Sequence, residues 1–233
     1  MSSADQRIEE KLGESTLPGA EDRGETTSPI ILSFVVDRAN FVTLLGLSSG
    51  LLSIYFSLVQ NYPAAMIALL WAVLLDWYDG LVARRMPNRT DSQRQFGGQL
   101  DSLVDLVVSA TGPAILLLSV GQFSPWFFPG ALAIVTAGVL RLAYYGVFGL
   151  DKGGTHAGLT IDNTPLAVAA VFLLHTFISP NVFAAVLYAT ILVMAFLHVA
   201  PVRMGKLGGR WYSAITGYVL ILTAVYAFIL WTH

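Results

Sequence analysis

The sequence predicts an all-α membrane fold, a polytopic bundle of about seven transmembrane helices (six to eight) with an interfacial helix before the first span. Hydrophobic residues make up 55% of the 233 residues and charged residues only 12%, which is too apolar for an ordinary soluble domain. Apolar runs long enough to cross roughly 30 Å of hydrocarbon recur along the chain. The connections between these runs are alternately basic and uncharged.

The first 29 residues form an acidic tail, which we expect to be disordered. The tail lacks the basic start and apolar core of a cleaved signal peptide. Residues 30–233 are then one transmembrane domain. It opens with the apolar segment 29–38, which is too short to cross and is expected to lie at the membrane interface. The tail holds seven of the 15 acidic residues, Asp5, Glu9, Glu10, Glu14, Glu21, Asp22 and Glu25.

Seven spans are predicted, and the basic connections orient them. Short cytoplasmic loops are enriched in Lys and Arg, and every basic connection falls on the same side of the predicted bundle. The amino terminus is therefore expected in the cytoplasm and His233 outside. The fifth span is short and begins at a proline-containing sequence, so it could start earlier or be tilted. The spans lie near residues 40–60, 63–84, 98–120, 126–149, 163–179, 181–200 and 212–231.

Four aspartates stand within the second and third predicted spans. Asp76 and Asp79 are three residues apart, and Asp101 and Asp105 are four apart, so each pair presents its carboxylates on one helical face. An ionised Asp in mid-membrane costs about 2.5–3.5 kcal/mol, so four such groups require neutralisation. The two pairs are expected to converge across the helix interface.

Divalent cations are the simplest source of that neutralisation. The chain contains no cysteine, so a metal must be held by oxygen or imidazole. Clustered carboxylates suit Mg²⁺ or Mn²⁺, and two such ions about 3.5–4 Å apart would clamp a diphosphate. The structural alternative is a set of ion pairs in which Arg84 and Arg85 neutralise the aspartates. Gly80 and Gly97 beside the acids indicate close approach of a flat group or tight helix contact.

The same residues resemble a known signature. Asp-x-x-Asp-Gly-x-x-Ala-Arg followed by Gly-x-x-x-Asp-x-x-x-Asp is similar to the motif of the CDP-alcohol phosphotransferases. One departure is visible: twelve residues, 85–96, separate the arginine from the second glycine, whereas the family usually has eight. We expect the extra residues to lengthen a cytoplasmic loop. The matching positions are Asp76, Asp79, Gly80, Ala83, Arg84, Gly97, Asp101 and Asp105.

The resemblance implies a role for each matching position. Asp76, Asp79 and Asp101 would bind two metal ions, and Asp105 would be both a metal contact and the general base. The CDP-lipid would be bound by Asp76, Gly80, Ala83, Arg84 and Gly97, with CMP as the leaving group. The family also implies a homodimer in the plasma membrane of a prokaryote, with a catalytic cleft facing the cytoplasm and the inner leaflet.

The opening of the first span, Asn40-Phe41-Val42-Thr43, is similar to that of bacterial and archaeal phosphatidylserine synthases within this family. Phe96–Leu106 and the shorter matches that follow also resemble this subgroup. The resemblance implies CDP-diacylglycerol as donor and L-serine as acceptor. Glycerol 3-phosphate, inositol phosphate and choline remain alternative acceptors, and Arg89, Arg94 and Arg203 could serve a phosphorylated one.

Arg141 is the main acceptor or phosphate-binding candidate outside the motif. It stands inside the fourth span, where an unpaired guanidinium is costly, so it should pair with a phosphate, with the serine carboxylate or structurally with Asp162. His156, Asp162 and Asn163, with Lys152, are further candidates in the next connection. His175 and His198 lie in apolar helices and are expected to pack.

Nucleic-acid binding and ion-coupled transport are two other classes of function on which the charges bear. Outside the tail, ten basic residues face eight acidic ones, so charge gives no basis for binding nucleic acid. An ion-coupled transporter is the alternative from another class, because intramembrane Asp and Arg also mark ion pathways. Here the four acids lie at one end of two consecutive helices, which favours an enzyme.

Overall fold

A computed structural model describes residues 31–35, 37–86, 88–149, 155–201, 203–205 and 209–232. The predicted acidic tail, residues 1–29, lies outside the described residues. The described part of residues 34–233 forms one compact unit. The helices of the described residues are α1 Ile31–Val35, α2 Arg38–Leu58, α3 Tyr62–Arg84, α4 Asp91–Val120, α5 Phe128–Phe148, α6 Asn163–Phe172, α7 Pro180–Val199 and α8 Gly209–Thr232. Two short strands, β1 Thr155–Ala157 and β2 Arg203–Gly205, pair antiparallel.

The described residues include six helices that are long and apolar enough to cross a membrane, which indicates an integral membrane protein. These six are α2, α3, α4, α5 with the turn before it, α7 and α8. The fifth predicted span is the shorter helix α6, which continues as a 3₁₀ helix from Leu173 to Thr176. The predicted polytopic helical bundle is therefore confirmed.

The shorter helix lies along most of α3. Asp162, just before α6, contacts Trp77 near the end of α3, while Phe172 packs against Tyr62 at the start of α3. Where the helix tightens, the Leu173 N–H bonds to Ala170 O. The carbonyl of Ala169 instead accepts from the buried hydroxyl of Tyr226 in α8, at 2.5 Å. This bond satisfies an acceptor that the change of helix type leaves free.

Small residues on one face of α2 let it approach α3 and α4 closely. The buried face consists of Ala39, Asn40, Thr43, Gly46, Gly50, Ser53 and Ser57, spaced at helical intervals. A Cβ on Gly50 would overlap the side chain of Val108 in α4, and one on Gly46 would lie 3.4 Å from Ala72 O. Membrane helices associate through such small residues, because lipid supplies no hydrophobic force between them.

Helix α4 changes its winding in the middle. Residues Asp91–Asp105 are α-helical, Leu106–Thr111 form a π-helix, and Gly112–Val120 return to α-helix. Pro113 has no N–H for the carbonyl four residues earlier, and the wider π turn accommodates that loss. The Thr111 hydroxyl donates to Leu106 O at 3.0 Å. The irregular turn begins directly after Asp105.

The segment between α3 and α4 differs from the prediction of a lengthened loop. Of residues 85–96, the last six belong to helix α4, so only residues 85–90 connect the two helices. Thr90 and Gln93 form a capping box, each side chain bonding to the other's backbone N–H. A capping box fixes a helix start by satisfying amide groups that lack intrahelical partners. The extra residues therefore mainly extend α4.

Candidate metal centre

Three of the predicted aspartates converge, as their helical spacing requires. Asp76 and Asp79 come from α3 and Asp101 from α4. One carboxylate oxygen from each lies within 4.8 Å of the others. Asp105 is not part of this group in the described residues, because it lies one turn further along α4, where the π-helix begins. Asp105 follows Asp101 by one turn of α4, and Asp162 accepts from Trp77, the residue after Asp76, so both lie near the group.

The two α3 carboxylates have different partners. Asp79 is 6% exposed and accepts a hydrogen bond from the Thr43 hydroxyl of α2. Oδ1 of Asp76 is buried and has no hydrogen-bond partner among the described residues. A buried carboxylate oxygen without a partner costs free energy unless a cation or proton compensates it. With three converging oxygens, this orphaned atom fits a hard divalent cation.

The alternative in which arginines neutralise the aspartates is not formed in the described part of the chain. Arg84 donates from Nη2 to the Tyr212 hydroxyl at 2.6 Å, and its guanidinium lies over the Tyr212 ring. The ion pairs found there are Arg89–Asp37 and Arg94–Asp91. Neither includes an aspartate of the motif, so no arginine forms an ion pair with the cluster in these residues.

Arg89 forms a buried polar junction that the sequence did not reveal. Its Nε lies 2.6 Å from Asp37 Oδ2, with side chains 8% and 1% exposed. Its Nη2 donates to Asn40 Oδ1 at 3.1 Å and to Gln93 O at 3.3 Å. The connection between α3 and α4 is thereby fixed to the start of α2. We refer to Asp37, Asn40 and Arg89 as the arginine junction.

The two motif glycines have different surroundings. A Cβ on Gly97 would lie 2.6 Å from Arg89 Nη2 and 2.9 Å from Asn40 Oδ1. Glycine at this position therefore makes room for the arginine junction, a reason absent from the sequence-based interpretation. At Gly80 the nearest atom is Arg84 Nη2 at 3.8 Å, so the space beside it is open. Gly80 thus leaves a smooth surface on α3 next to the aspartates.

Arg141 is 7% exposed and lies beside the connection that leads into α6. Its Nε donates to Leu159 O at 3.3 Å, and the guanidinium lies 5.7 Å from the centroid of the Tyr145 ring. The ion pair with Asp162, considered as its structural role, is not formed within the described residues. Asp162 instead accepts from Trp77 Nε1 at 2.7 Å. Leu159 lies three residues before Asp162, so the two charged groups border the same connection without forming an ion pair in the described residues.

The structure gives less support to the remaining acceptor candidates. Asn163 Nδ2 donates to Thr160 Oγ1 at 2.6 Å, so its amide is used within the turn before α6. The backbone of His156 pairs with Met204 across the two strands, and its side chain lies outside the described residues. Lys152 is also outside them. Of these candidates, Asp162 lies near the aspartates through its bond to Trp77, and Arg141 lies beside the connection that carries Asp162.

Of the two histidines in apolar helices, expected to be packed or interfacial rather than ligands, His198 is packed and His175 lies at the surface. His198 is 1% exposed, and its ring contacts Thr164 Oγ1 at 2.7 Å and Leu159 O at 3.1 Å. It holds the connection before α6 in place. His175 is on the surface at the opposite end of α6, where its ring stacks on Phe172 at 5.3 Å. Neither histidine belongs to the aspartate group.

Comparison with known proteins identifies the family. Residues 36–232 match the family model described as CDP-alcohol phosphatidyltransferase. The chain therefore belongs to the CDP-alcohol phosphatidyltransferase family, as the motif predicted.

Curated relatives are similar over part of their length. The chain is 37% identical over 143 residues to the archaetidylserine synthase of Methanothermobacter thermautotrophicus, covering 60% of this chain and 57% of that protein. It is 38% identical over 116 residues to a CDP-diacylglycerol–serine O-phosphatidyltransferase of Mycobacterium bovis, covering 49% and 38%. The protein of that name from Bacillus subtilis is 31% identical over 109 residues, covering 46% and 59%. The chain thus spans between 38% and 59% of the length of these relatives.

Proposed function

We propose that the protein transfers a phosphatidyl group from CDP-diacylglycerol to L-serine in a metal-dependent reaction that releases CMP. The observation that carries this proposal is the convergence of Asp76, Asp79 and Asp101 from two helices of a family member. The names of the relatives, which specify serine as acceptor, support the choice of alcohol.

Asp76, Asp79 and Asp101, with Asp105 nearby, would hold two Mg²⁺ or Mn²⁺ ions. The donor set is all oxygen, which suits these hard cations. When bound, the ions supply positive charge to the diphosphate of the donor and to the departing phosphate. The unpartnered Oδ1 of Asp76 supports a cation at this position. The protein's part is to hold the carboxylates at a fixed separation inside an apolar bundle.

Asp105 is proposed as the general base. Asp105 lies one turn beyond the three-aspartate group. This position suits a carboxylate that faces the acceptor alcohol rather than the donor diphosphate. It takes the proton of the serine hydroxyl as the serine oxygen bonds to the phosphatidyl phosphorus. The bond from that phosphorus to the CMP oxygen breaks, so no covalent enzyme intermediate is needed. The open space at Gly80, bordered by Ala83 and Arg84 and with Gly97 on α4, would receive the CDP moiety.

Arg141 and Asp162 are proposed to recognise serine. A free amino acid carries a carboxylate and an ammonium on the same carbon. A buried guanidinium and a carboxylate that are neighbours without pairing match those two charges. Arg141 would bind the serine carboxylate and Asp162 its ammonium. Asn163 would shape the turn that carries Asp162, and His156 remains a candidate on the adjoining strand.

A different acceptor is the alternative within the family. Glycerol 3-phosphate or inositol phosphate would need extra cationic groups near the metals. Arg89 is buried in its pair with Asp37, and Arg94 is exposed beside Asp91, which argues against both as phosphate ligands. Choline has no carboxylate for Arg141. The side chain of Arg203 lies outside the described residues, and the contacts of the other groups favour serine.

An ion-coupled transporter is the alternative of another class. Transport sites usually draw acids from several helices at mid-depth. The carboxylates of this protein come from α3 and α4 at one end of the bundle and lie next to open space at Gly80. That arrangement favours a surface-facing catalytic cleft. Ion flux in liposomes without metal-dependent turnover would instead support the transporter.

We further propose that the protein works in the plasma membrane of a prokaryote, with the cleft open to the cytoplasm and the inner leaflet. The basic connections on the cleft side support this orientation. Acyl chains of CDP-diacylglycerol would stay among the membrane lipids while its CDP enters the cleft. A homodimer is proposed from membership of the family.

The test is CMP release by purified protein supplied with CDP-diacylglycerol, Mg²⁺ or Mn²⁺ and one acceptor at a time. Serine, glycerol 3-phosphate, inositol phosphate and choline form the panel, and a chelator forms the control. We expect release with serine alone, abolished by the chelator. Release with another acceptor and not with serine would replace the proposed acceptor, and release in the chelator would refute the metal requirement.

A further inference from the structure

We propose that Thr43 is a positioning residue that fixes the Asp79 carboxylate as a metal ligand and thereby sets the affinity for the divalent cation. Thr43 lies in α2, outside the motif that supplies the aspartates. The inference rests on the proposed metal centre and adds to it a residue from a third helix.

The contact between Thr43 and Asp79 is buried on both sides. Thr43 is 4% exposed and Asp79 is 6% exposed. The Thr43 hydroxyl donates to Oδ2 of Asp79 and lies 3.1 Å from Ala39 O on its own helix. A hydroxyl has one hydrogen, so the carboxylate competes with the usual bond of a helical threonine to its preceding turn. The bond to Asp79 is the contact through which this hydroxyl reaches the metal centre.

This hydrogen bond determines which way the Asp79 carboxylate faces. A carboxylate on a flexible side chain can rotate, and a ligand that must be ordered on binding weakens cation affinity. With Oδ2 held by Thr43, the Asp79 carboxylate is fixed in the orientation in which one of its oxygens joins the group formed with Asp76 and Asp101. Such outer partners of metal ligands typically contribute 10–100-fold in affinity, on the order measured for other metal proteins.

The same face of α2 also contacts the region of α4 that carries Asp101. Asn40 lies one turn before Thr43 and accepts from Arg89 Nη2 at 3.1 Å. That guanidinium fills the space left by Gly97, which is four residues before Asp101 on α4. One helical face therefore contacts both α3 and α4 beside their metal-binding aspartates. Neighbouring positions of α2 thus fix the spacing between Asp79 and Asp101.

The test compares Thr43→Val with Thr43→Ser. Valine keeps the shape of threonine and removes the hydroxyl, whereas serine keeps the hydroxyl. Thr190→Val is the matched control, since the Thr190 hydroxyl bonds only to Val186 O in its own helix among the described residues, at 2.8 Å. Thr43→Ala is a second hydroxyl-free variant with less bulk. Mn²⁺ binding is measured by electron paramagnetic resonance, and thermal unfolding is measured without metal.

We expect Thr43→Val and Thr43→Ala to weaken Mn²⁺ binding by about 10–100-fold. Thr43→Ser and Thr190→Val should bind as the unaltered protein does. Equal affinity in Thr43→Val and the unaltered protein would overturn the role of Thr43 and leave the metal centre intact. Equal losses in Thr43→Ser and Thr43→Val would also overturn it, because the hydroxyl would then be irrelevant. No Mn²⁺ binding by the unaltered protein would overturn the proposed metal centre itself.

Discussion

The two ends of helix α3 are held by different kinds of interaction. At its start, Tyr62 packs against Phe172 and His175, with ring centroids 5.2 and 5.7 Å apart. We call this region the aromatic end. Near its other end, Asp79 is bound by Thr43, and Trp77 donates to Asp162 at 2.7 Å. We call this region, with Asp76 and Asp101, the acidic end.

The difference contrasts directional polar contacts with non-directional packing within one bundle. Ring packing is non-directional and tolerates exchange of one apolar side chain for another of similar volume. Buried carboxylates and guanidinium groups require specific partners, and the loss of one partner leaves a costly charge. The acidic end should therefore be sensitive to single substitutions that the aromatic end tolerates.

Asp105→Asn should lower serine-dependent CMP release by about 10²–10⁴-fold, because an amide cannot accept the proton of the alcohol. Initial rates at saturating metal and lipid measure the change. Asp91→Asn is the matched control on the same helix. The Asp91 side chain is fully exposed, and its ion pair with Arg94 is long, at 3.9 Å. A rate for Asp105→Asn within tenfold of the control would exclude Asp105 as the base.

Arg89→Met should lower the free energy of unfolding by about 3–5 kcal/mol, because it leaves Asp37 buried without its partner. The double variant Asp37→Leu with Arg89→Met removes both charges and should recover much of that loss. Unfolding in detergent, followed by circular dichroism, gives the two values. If the double variant is no more stable than Arg89→Met, the Asp37 charge is not the cause.

Trp77→Phe should raise the KM for serine about fivefold, since about 1 kcal/mol is typical for one hydrogen bond. The substitution keeps an aromatic ring and removes the donor to Asp162. The KM for CDP-diacylglycerol should stay constant, because Asp162 is assigned to the acceptor. Equal changes in both KM values would show that Trp77 supports the bundle rather than the acceptor site.

The smallest effect on turnover is expected at the aromatic end. Phe172→Leu should lower the free energy of unfolding by less than about 1.5 kcal/mol, a usual limit for exchanges of similar volume. Its kcat and its Mn²⁺ affinity should equal those of the unaltered protein. A fall in Mn²⁺ affinity would break the contrast, since it would couple the two ends of α3.

Sequence alone predicted the helices well because each depends on local apolarity. Helix α3 was expected at 63–84 and runs from Tyr62 to Arg84. The start of α4 was placed seven residues too late, because Asp91–Phe96 is polar and extends the helix beyond its apolar part. The pattern of Thr90 with Gln93 three residues later is a capping-box signal and could have corrected it.

The metal centre was only partly predictable, because some of its contacts join residues that are distant in the chain. Convergence of the aspartates follows from helical spacing, which is a local property of Asp76, Asp79 and Asp101. The partners of Asp79 and Arg89 lie 36 and 52 residues away in the chain. No local pattern pairs Thr43 with Asp79 or Asp37 with Arg89, because these contacts arise only when α2 packs against α3 and α4.

The most direct test of the metal centre is a crystal or cryo-EM structure with Mn²⁺ and CDP-diacylglycerol bound. We expect metal density between Asp76, Asp79 and Asp101, with two ions about 3.5–4 Å apart against the diphosphate. Carboxylates that point away from each other, or a diphosphate bound elsewhere with no metal beside these three residues, would contradict it.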